Sequence, residues 1–199
     1  MIVSHTPQEA LRALKQGQPV VFPTDTLYGL GVSVEHAPDH DVLYRLKDRD
    51  KRKPIAWLVG GVEDLGRYGK IVPDFAFALA RTFWPGPLTL IVKASDLVPE
   101  AFRSAEGTIG MRMPDNRLAL DLIAELGCPI ATTSANLSGQ KPTKSFDEIS
   151  PDLLSRVGAA VSDDEVKSGI ASTIVDCTTG HPVLKRVGAI TVGDIQSQA

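Results

Sequence analysis

The stretch Tyr44–Pro54, YRLKDRDKRKP, concentrates charge in a short part of the sequence. Between Arg45 and Lys53 it carries six cations and two anions, a local charge of +4 in a chain whose net charge is −3. Lys47 and Arg49 are two positions apart, so on an extended backbone both side chains point to the same side. At about 4 Å, each contact with an anion contributes on the order of 4 kcal/mol at an effective dielectric constant of about 20. The spacing therefore predicts a polyphosphate site, and a solvated charged helix end is the alternative.

Two further segments combine a buried strand with polar side chains. Residues 22–31, FPTDTLYGLG, place two threonines, an aspartate and two glycines after an apolar strand, so hydroxyls and backbone amides could approach a ligand. Residues 131–139, ATTSANLSG, place small hydroxyl and amide side chains at the end of another strand, where open α/β sheets usually bind ligands. For each segment the alternative is an ordinary turn whose polar side chains bond their own backbone.

Several other kinds of site are not indicated. The sequence has no G-x-x-x-x-G-K-[ST] loop, and Gly29-Leu30-Gly31 lacks the third glycine of a dinucleotide-binding loop. His36 and His40 have the spacing of a metal pair, but Pro38 between them disfavours one continuous helix, so we expect no metal site there. Ser134 lacks the G-x-S-x-G turn of a serine hydrolase.

Composition limits the broad class of protein. Of 199 residues, 43% are hydrophobic and 23% are charged, which is typical of a globular domain with a buried core. The pI of about 5.8 argues against a broad nucleic-acid-binding surface. No apolar run approaches the roughly 18 residues of a membrane span and the N-terminus lacks a signal-peptide pattern, so we expect a cytoplasmic protein. Cys128 and Cys177 are predicted to be reduced core thiols.

Helices and strands alternate along the sequence. Thr6, Pro7 and Glu9 have the pattern of a helix N-terminus. Helices are predicted at 6–17, 38–48, 73–83 and 115–126. Strands are predicted at 19–22, 55–59, 88–94, 108–113, 129–132, 157–162, 172–177 and 183–187, with a polar loop containing Gly29 and Gly31 after the first. Several late strands lie too close together for helical crossovers, so we predict one α/β domain over residues 1–199 with a twisted, mixed and largely antiparallel sheet flanked by helices.

Five motifs occur in register along the chain. They are PTDTLYGLG at 23–31, K-x-R at 47–49 followed by Lys53-Pro54, WPGPLTLIV at 84–92, GMRMP at 110–114 and TTSANLSG at 132–139. In this order and at these separations they resemble the YrdC-like proteins, and among them the threonylcarbamoyl-AMP synthases, over about residues 5–190. The resemblance implies a YrdC-like domain with an open, concave, basic cleft, in the short form without a further C-terminal domain.

The resemblance also implies a reaction and its site. The family joins L-threonine, bicarbonate and ATP into threonylcarbamoyl-adenylate and releases pyrophosphate, with Mg²⁺ bridging the ATP phosphates. The residues implied for threonine are Thr26, Arg112, Thr132 and Ser172. The residues implied for ATP are Lys47, Arg49, Lys53, Thr108, Ser134, Asn136, Lys141 and Arg186, of which Lys47 and Arg49 would also act in catalysis. Many family members have a histidine where this chain has Leu58, so the threonine pocket is expected to differ locally.

Other functions use the same residues differently. An RNA-binding module would bind phosphates with the basic cluster, and an inactive paralogue would keep the fold without the activity. The enzyme interpretation implies transfer of the product to the tRNA threonylcarbamoyl-transferase complex, weak tRNA binding and no membrane contact. Pyrophosphate release that requires threonine and bicarbonate would distinguish the enzyme from salt-sensitive RNA binding without turnover. We expect Arg49→Ala to abolish nucleotide use and Arg112→Ala to raise the threonine requirement.

Overall fold

The predicted alternation of strands and helices is present in the computed structural model, which describes residues 5–37, 41–48, 50, 55–163 and 165–196. The strands are β1 (Val20–Pro23), β2 (Tyr28–Ser33), β3 (Ala56–Leu58), β4 (Leu88–Lys93), β5 (Thr108–Arg112), β6 (Ile130–Ser134), β7 (Ala159–Ala160), β8 (Thr173–Asp176) and β9 (Val183–Arg186). The α-helices are α1 (Pro7–Lys15), α2 (Asp41–Lys47), α3 (Glu63–Tyr68), α4 (Asp74–Phe83), α5 (Arg117–Leu126), α6 (Pro151–Leu154) and α7 (Val192–Gln196).

The strands form one mixed sheet in the order β7-β1-β2-β6-β3-β5-β4-β8-β9. The pairs β1/β7, β3/β5 and β4/β8 are parallel, and the other five pairs are antiparallel. The prediction of a mixed, largely antiparallel sheet is confirmed. Strand β3 pairs with β5 on one side and with β6 on the other. The motif GMRMP, which begins in β5, and the motif TTSANLSG, which begins in β6, therefore lie on either side of this short strand.

The helix ends follow the sequence signals. The Thr6 hydroxyl accepts the Glu9 N–H at 3.2 Å and the Glu9 carboxylate accepts the Thr6 N–H at 2.7 Å, so the predicted helix N-terminus is confirmed and takes the form of a capping box. At the start of α5 the Asn116 side chain accepts the Ala119 N–H at 3.0 Å. Gly127 ends that helix with φ of 77°, a left-handed conformation that favours glycine.

The predicted polar loop after β1 extends only to Leu27, and the placement of Gly29 and Gly31 in it is wrong, because both lie in the buried strand β2. The glycines reflect close approach to β6 rather than a turn. A methyl group on Gly31 would lie 2.6 Å from Ile130 Cγ2 and 2.9 Å from Thr132 Oγ1. The antiparallel pairing of Gly31 with Thr132 places that threonine directly across the strand.

The exit from α2 also differs from the prediction. The helix ends at Lys47, and Asp48 has φ of 50°, so the chain leaves in a left-handed turn rather than as an extended strand. The argument that alternation aligns Lys47 with Arg49 therefore does not hold at this junction, and Arg49 itself lies outside the described residues. Strand β6 reaches Ser134, two residues beyond its predicted end, and α3, α6 and α7 were not predicted.

The core contains side chains from both helices and sheet. Trp57 of β3 is 1% exposed and contacts Tyr68 and Phe102 edge-to-face at centroid distances of 5.2 and 5.5 Å. Cys128 and Cys177 are buried and free, as predicted, and burial raises the pKa of Cys177 to about 12. Within the ranges described, no helix is long and apolar enough to cross a membrane.

Candidate active site

A pocket of about 250 Å³ lies where the ends of several strands meet. Six residues of the predicted site share its wall: Thr26, Arg112, Thr132, Ser134, Ser172 and Arg186. They come from β5, β6 and β9 and from the segments that precede β2 and β8. Among the described residues that line the pocket, two are charged, and both are arginines: Arg112 and Arg186. This agrees with the basic cleft that the family resemblance implies.

Arg112 is the most enclosed charged group of this wall, with 7% of its surface exposed. Its Nε–H donates to the Gly86 carbonyl at 3.0 Å, one Nη–H donates to Thr26 Oγ1 at 2.9 Å, and another donates to the Asp25 carboxylate. Burial lowers the pKa of the Arg112 guanidinium, and the Asp25 charge opposes this effect. These contacts use three of the five guanidinium N–H groups, which leaves two donors for a ligand.

The loop between β1 and β2 is held by its own threonines. Thr24 Oγ1 donates to the Leu27 carbonyl at 2.7 Å and lies 3.1 Å from Thr26 Oγ1. Asp25 points to Arg112 and also accepts the Asp115 N–H at 3.2 Å. The alternative of a turn that bonds its own backbone is thus correct for Thr24, whereas Thr26 and Asp25 are bound to residues about 90 positions away in the sequence.

The end of β6 is tied to the end of α2 by Lys47, which is 2% exposed. Its Nζ donates to Thr133 Oγ1 at 3.3 Å, to the backbone carbonyl and hydroxyl of Ser134, the latter at 3.2 Å, and to Asn136 Oδ1 at 3.1 Å. The Lys47 carbonyl accepts the Ser138 N–H at 3.0 Å. Lys47 therefore bonds Ser134 and Asn136 directly, and neither Lys47 nor Asn136 lines the pocket, so their assignment to ATP stays a prediction.

Ser172, which precedes β8, connects strands β4 and β9. Its Oγ lies 2.9 Å from Thr89 Oγ1 of β4, and its carbonyl accepts hydrogen bonds from Arg186 Nε at 3.0 Å and Nη2 at 2.8 Å. Burial lowers the pKa of Arg186, although part of this side chain is exposed. Ser172 thereby fixes the direction in which Arg186 reaches the pocket.

The remaining predicted residues lie elsewhere. Thr108 is bonded to Ser104 at the other end of β5 from Arg112, about 13 Å along the strand, and is not part of the wall. Lys141 is exposed and adjoins Pro142, which lines the pocket. Arg49 and Lys53 lie outside the described residues, as does His40 of the histidine pair. The assignments of Thr108 and Lys141 to the nucleotide stay predictions.

Part of the wall is apolar and is formed by residues of β3 and β8, of which the sequence reasoning had placed only Leu58 at the pocket. Leu58 and Ala56 of β3 and Ile174 of β8 line the pocket. Leu58 is the register partner of Arg112, so the position where many family members have histidine lies beside the buried arginine. The signal in the sequence was the continuous apolar stretch at 55–59, but which of its side chains line the pocket depends on the pairing of β3 with β5 and β6.

Comparison with known proteins places these features in a family. The sequence pattern of the Sua5/YciO/YrdC family, described as telomere recombination, matches residues 12–188. A threonylcarbamoyl-AMP synthase of Pyrococcus abyssi is 33% identical over 183 residues, covering 92% of this chain and 54% of that protein. One of Bacillus subtilis is 37% identical over 191 residues, covering 95% and 55%.

The fold agrees with the sequence comparison. The crystal structure of P. abyssi Sua5 complexed with L-threonine superposes with a TM-score of 0.89 at 33% identity, covering 96% of this chain and 56% of that one. The chain thus spans about half the length of these relatives. The family pattern covers most of the residues that build the pocket, and the chain belongs to the Sua5/YciO/YrdC family.

Proposed function

We propose that this chain is a threonylcarbamoyl-AMP synthase, which converts L-threonine, bicarbonate and ATP into threonylcarbamoyl-adenylate and pyrophosphate. The observation that carries the proposal is the convergence, on one pocket, of Arg112 and Thr26 on one wall with Ser134 and Arg186 on others. The relatives of P. abyssi and B. subtilis bear the name of this activity, and the P. abyssi structure contains L-threonine.

The threonine substrate is proposed to lie at the Arg112 end. The two remaining guanidinium donors would bind its carboxylate, while Thr26, Thr132 and Ser172 supply hydroxyl groups. Leu58 and Ile174 offer apolar contacts for the substrate's methyl group. Asp25, which is paired with Arg112, is proposed to orient the amine, so that an ion pair of the protein would meet the zwitterion of the amino acid.

ATP is proposed to contact the parts of the wall formed by Ser134 and Arg186. A volume of about 250 Å³ lies below the roughly 300–1,000 Å³ typical of sites for larger ligands, so only the reacting part of ATP would occupy the pocket. The rest would extend past Ser134 and Asn136 toward the basic segment, where Arg49 and Lys53 are proposed to bind phosphates. Mg²⁺ would come with ATP as part of the substrate and bridge its phosphates.

The chemistry needs positioning and charge more than proton transfer. The threonine amine and bicarbonate form a carbamate and water, and a carbamate oxygen then attacks the α-phosphorus. The new bond joins the carbamate oxygen to the α-phosphorus. The bond between the α-phosphorus and the oxygen that bridges to the β-phosphorus breaks, and that oxygen leaves with the electron pair as part of pyrophosphate. Because the nucleophile is already anionic, its attack needs no general base. Arg186 and the basic segment would stabilise the negative charge that develops on the phosphate oxygens.

Two experiments test the proposal in the wild-type protein. Calorimetric titration with ATP and with L-threonine, separately and together, should show binding of each. Pyrophosphate release should require threonine and bicarbonate together, and mass spectrometry should detect the adenylate. Release of pyrophosphate without threonine, or binding of neither ligand, would contradict the proposal.

A second candidate, RNA binding, is favoured by the local charge of +4 at 45–53. As part of the main proposal, the adenylate would pass to the tRNA threonylcarbamoyl-transferase complex, and weak tRNA contact would assist this transfer. Filter binding with tRNA at increasing salt separates the alternatives. Tight, salt-sensitive binding in a protein without turnover would favour the RNA-binding module.

A further inference from the structure

A second buried ion pair lies outside the pocket wall, in the segment 161–172 between β7 and β8, described except for Asp164. The Lys167 side chain is fully buried. Its Nζ donates to Asp163 Oδ2 at 2.7 Å and lies 2.7 Å from Oδ1 outside hydrogen-bonding geometry. Glu165 Oε2 is 3.8 Å away. The two partners are four positions apart, but this segment is not helical, so the pair closes an irregular loop.

The loop is also fastened to the start of α5. Asn116 caps that helix with its side-chain oxygen Oδ1. Its Nδ2 donates to Asp163 Oδ2 at 2.8 Å and to Glu165 Oε2 at 2.7 Å. The preceding residue, Asp115, donates its N–H to the Asp25 carboxylate. One helix start therefore holds both the acid of the Lys167 pair and the acid that binds Arg112.

The residues directly after Lys167 contact the amino-acid end of the pocket. The Ser168 N–H donates to the Asp25 carbonyl at 3.1 Å, and the Gly169 N–H donates to the Thr26 carbonyl at 3.0 Å. Gly169 has φ of 72°, which turns the chain so that Ala171 and Ser172 reach the pocket wall. The segment thus forms backbone contacts to two of the three residues that bind the Arg112 side chain, Asp25 and Thr26.

Stability alone does not account for a buried lysine here. Apolar residues of similar volume often replace a buried ion pair with no loss of stability, because desolvation of two charges offsets their attraction. An ion pair with fixed hydrogen-bonding directions, in contrast, selects one arrangement of the loop that contains it. In this protein the Lys167–Asp163 ion pair fixes the loop in the arrangement in which Ser168 and Gly169 donate their N–H groups to the carbonyls of Asp25 and Thr26.

We infer that Lys167 is a positioning residue for the amino-acid end of the pocket: with Asp163 and Asn116 it holds the segment that fixes Asp25 and Thr26. The inference rests on the proposed function only in naming threonine as the ligand of that end. The described bonds from the segment to the ATP side are those of Ser172 to Arg186, five positions beyond Lys167, where Thr89 Oγ1 at 2.9 Å also holds Ser172, so the effect should fall mainly on threonine.

The test compares three variants with the wild type. Lys167→Met removes the charge and keeps a side chain of similar length. The double variant Lys167→Met/Asp163→Asn also removes the negative charge of Asp163, so no buried carboxylate is left unpaired. This double variant keeps the test available if the single variant fails to fold. Lys70→Met is the matched control, because it removes an exposed lysine from an ion pair with Asp96 in another part of the protein.

Both Lys167 variants should raise the KM for L-threonine about 10- to 100-fold while the KM for ATP changes about 2-fold or less, since a displacement of about 1 Å suffices for such a loss. Hydrogen exchange of the Ser168 and Gly169 amides should become about 10-fold faster in these variants. Lys70→Met should change neither quantity.

Several outcomes would overturn the inference. Equal losses for both substrates accompanied by a lower Tm would indicate a purely structural role. Unchanged exchange and unchanged threonine KM in folded variants would remove the role altogether. Should neither variant fold, fast exchange of the two amides in the wild type would still refute it, and slow exchange would support it. Because exchange needs no substrate, a wild type that binds no threonine would refute the proposed function without deciding the positioning role.

Discussion

The pocket contains two arginines in contrasting settings. Arg112 is 7% exposed and forms an ion pair with Asp25 whose side chains are 8% and 15% exposed. Arg186 lies on the edge strand β9 and is partly exposed, and in the described part of the chain its hydrogen bonds go to Ser172. One guanidinium is neutralised by the protein, and the other faces the pocket with its charge uncompensated by a described carboxylate.

The difference separates two uses of the same side chain. A paired, buried arginine contributes directed hydrogen bonds with little net charge, which suits a zwitterionic amino acid. An arginine held by neutral oxygens keeps its positive potential for a polyanion such as ATP. Burial lowers the pKa of Arg112 and the nearby Arg186 charge adds to this effect, whereas the Asp25 carboxylate opposes both.

The largest effect is expected from Arg112→Ala. Loss of one or two charge-assisted hydrogen bonds, at about 1.5–3 kcal/mol each, should raise the threonine requirement about 10- to 100-fold or more. Asp25 would lose its buried partner, so the free energy of unfolding should fall by about 3–5 kcal/mol. Steady-state kinetics at varied threonine, together with urea denaturation, measure the two effects.

Arg112→Lys and Asp25→Asn sharpen this prediction. Lysine keeps the charge but lacks the planar fork, so it should restore stability better than threonine use. In a double-mutant cycle, Asp25 and Arg112 should show a coupling energy of about 1–3 kcal/mol. Independent, additive effects of the two substitutions would mean that the ion pair does not act as a unit.

A smaller and different effect is expected from Arg186→Ala. The Kd for ATP should rise about 10-fold, and this difference should shrink as salt is raised, because a partly exposed charge is screened over about 8 Å at physiological ionic strength. The free energy of unfolding should change by about 0.5 kcal/mol or less, as for surface substitutions in general. Calorimetry at low and high salt measures the binding term; a larger loss for threonine than for ATP would reverse the assigned roles.

The contrast between the arginines shows how far the sequence could lead. Local signals predicted the caps of α1, the stop of α5 at Gly127 and most strands, because each depends on neighbours within a few positions. The Asp25–Arg112 pair joins residues 87 positions apart, and no local pattern specifies it. The motif resemblance named Arg112 but not its partner.

Strand β2 shows the opposite kind of failure. Two glycines read locally as a loop, yet Gly31 is required by Ile130 and Thr132 on the paired strand. Lys167 gave no signal either, since a lysine in a loop is ordinarily solvated and its burial depends on Asp163 and Asn116 together. Positions fixed by pairing between distant segments are the ones that sequence reasoning could not predict.

Ser172→Ala tests whether the two arginine regions are linked. Its hydroxyl contacts Thr89 at 2.9 Å and Arg186 at 3.2 Å, but its carbonyl supplies the two shorter bonds to Arg186 and would remain. The free energy of unfolding should fall by about 1 kcal/mol, the contribution of one typical hydrogen bond. The Kd for ATP should stay within about 3-fold, whereas threonine should bind about 3- to 10-fold more weakly. A loss confined to ATP in calorimetry would show that the hydroxyl, rather than the carbonyl, directs Arg186.

The smallest effect concerns an exposed carboxylate, that of Glu148, rather than a buried one. Glu148 accepts the N–H groups of Lys144 and Ser145 at 2.9 and 3.3 Å, and these bonds hold its pKa below the usual 4.5. A lowered pKa means that the contribution to stability is present above pH 4.5 and is lost as the pH falls through the lowered value. Glu148→Gln should therefore lower the Tm slightly at pH 7 and leave it nearly unchanged at a pH below the lowered pKa. Glu148 holds the backbone at Lys144, two residues after Pro142, which lines the pocket. If the substitution also weakens ATP binding at pH 7, the loop that carries Pro142 contributes to the ATP site together with Arg186.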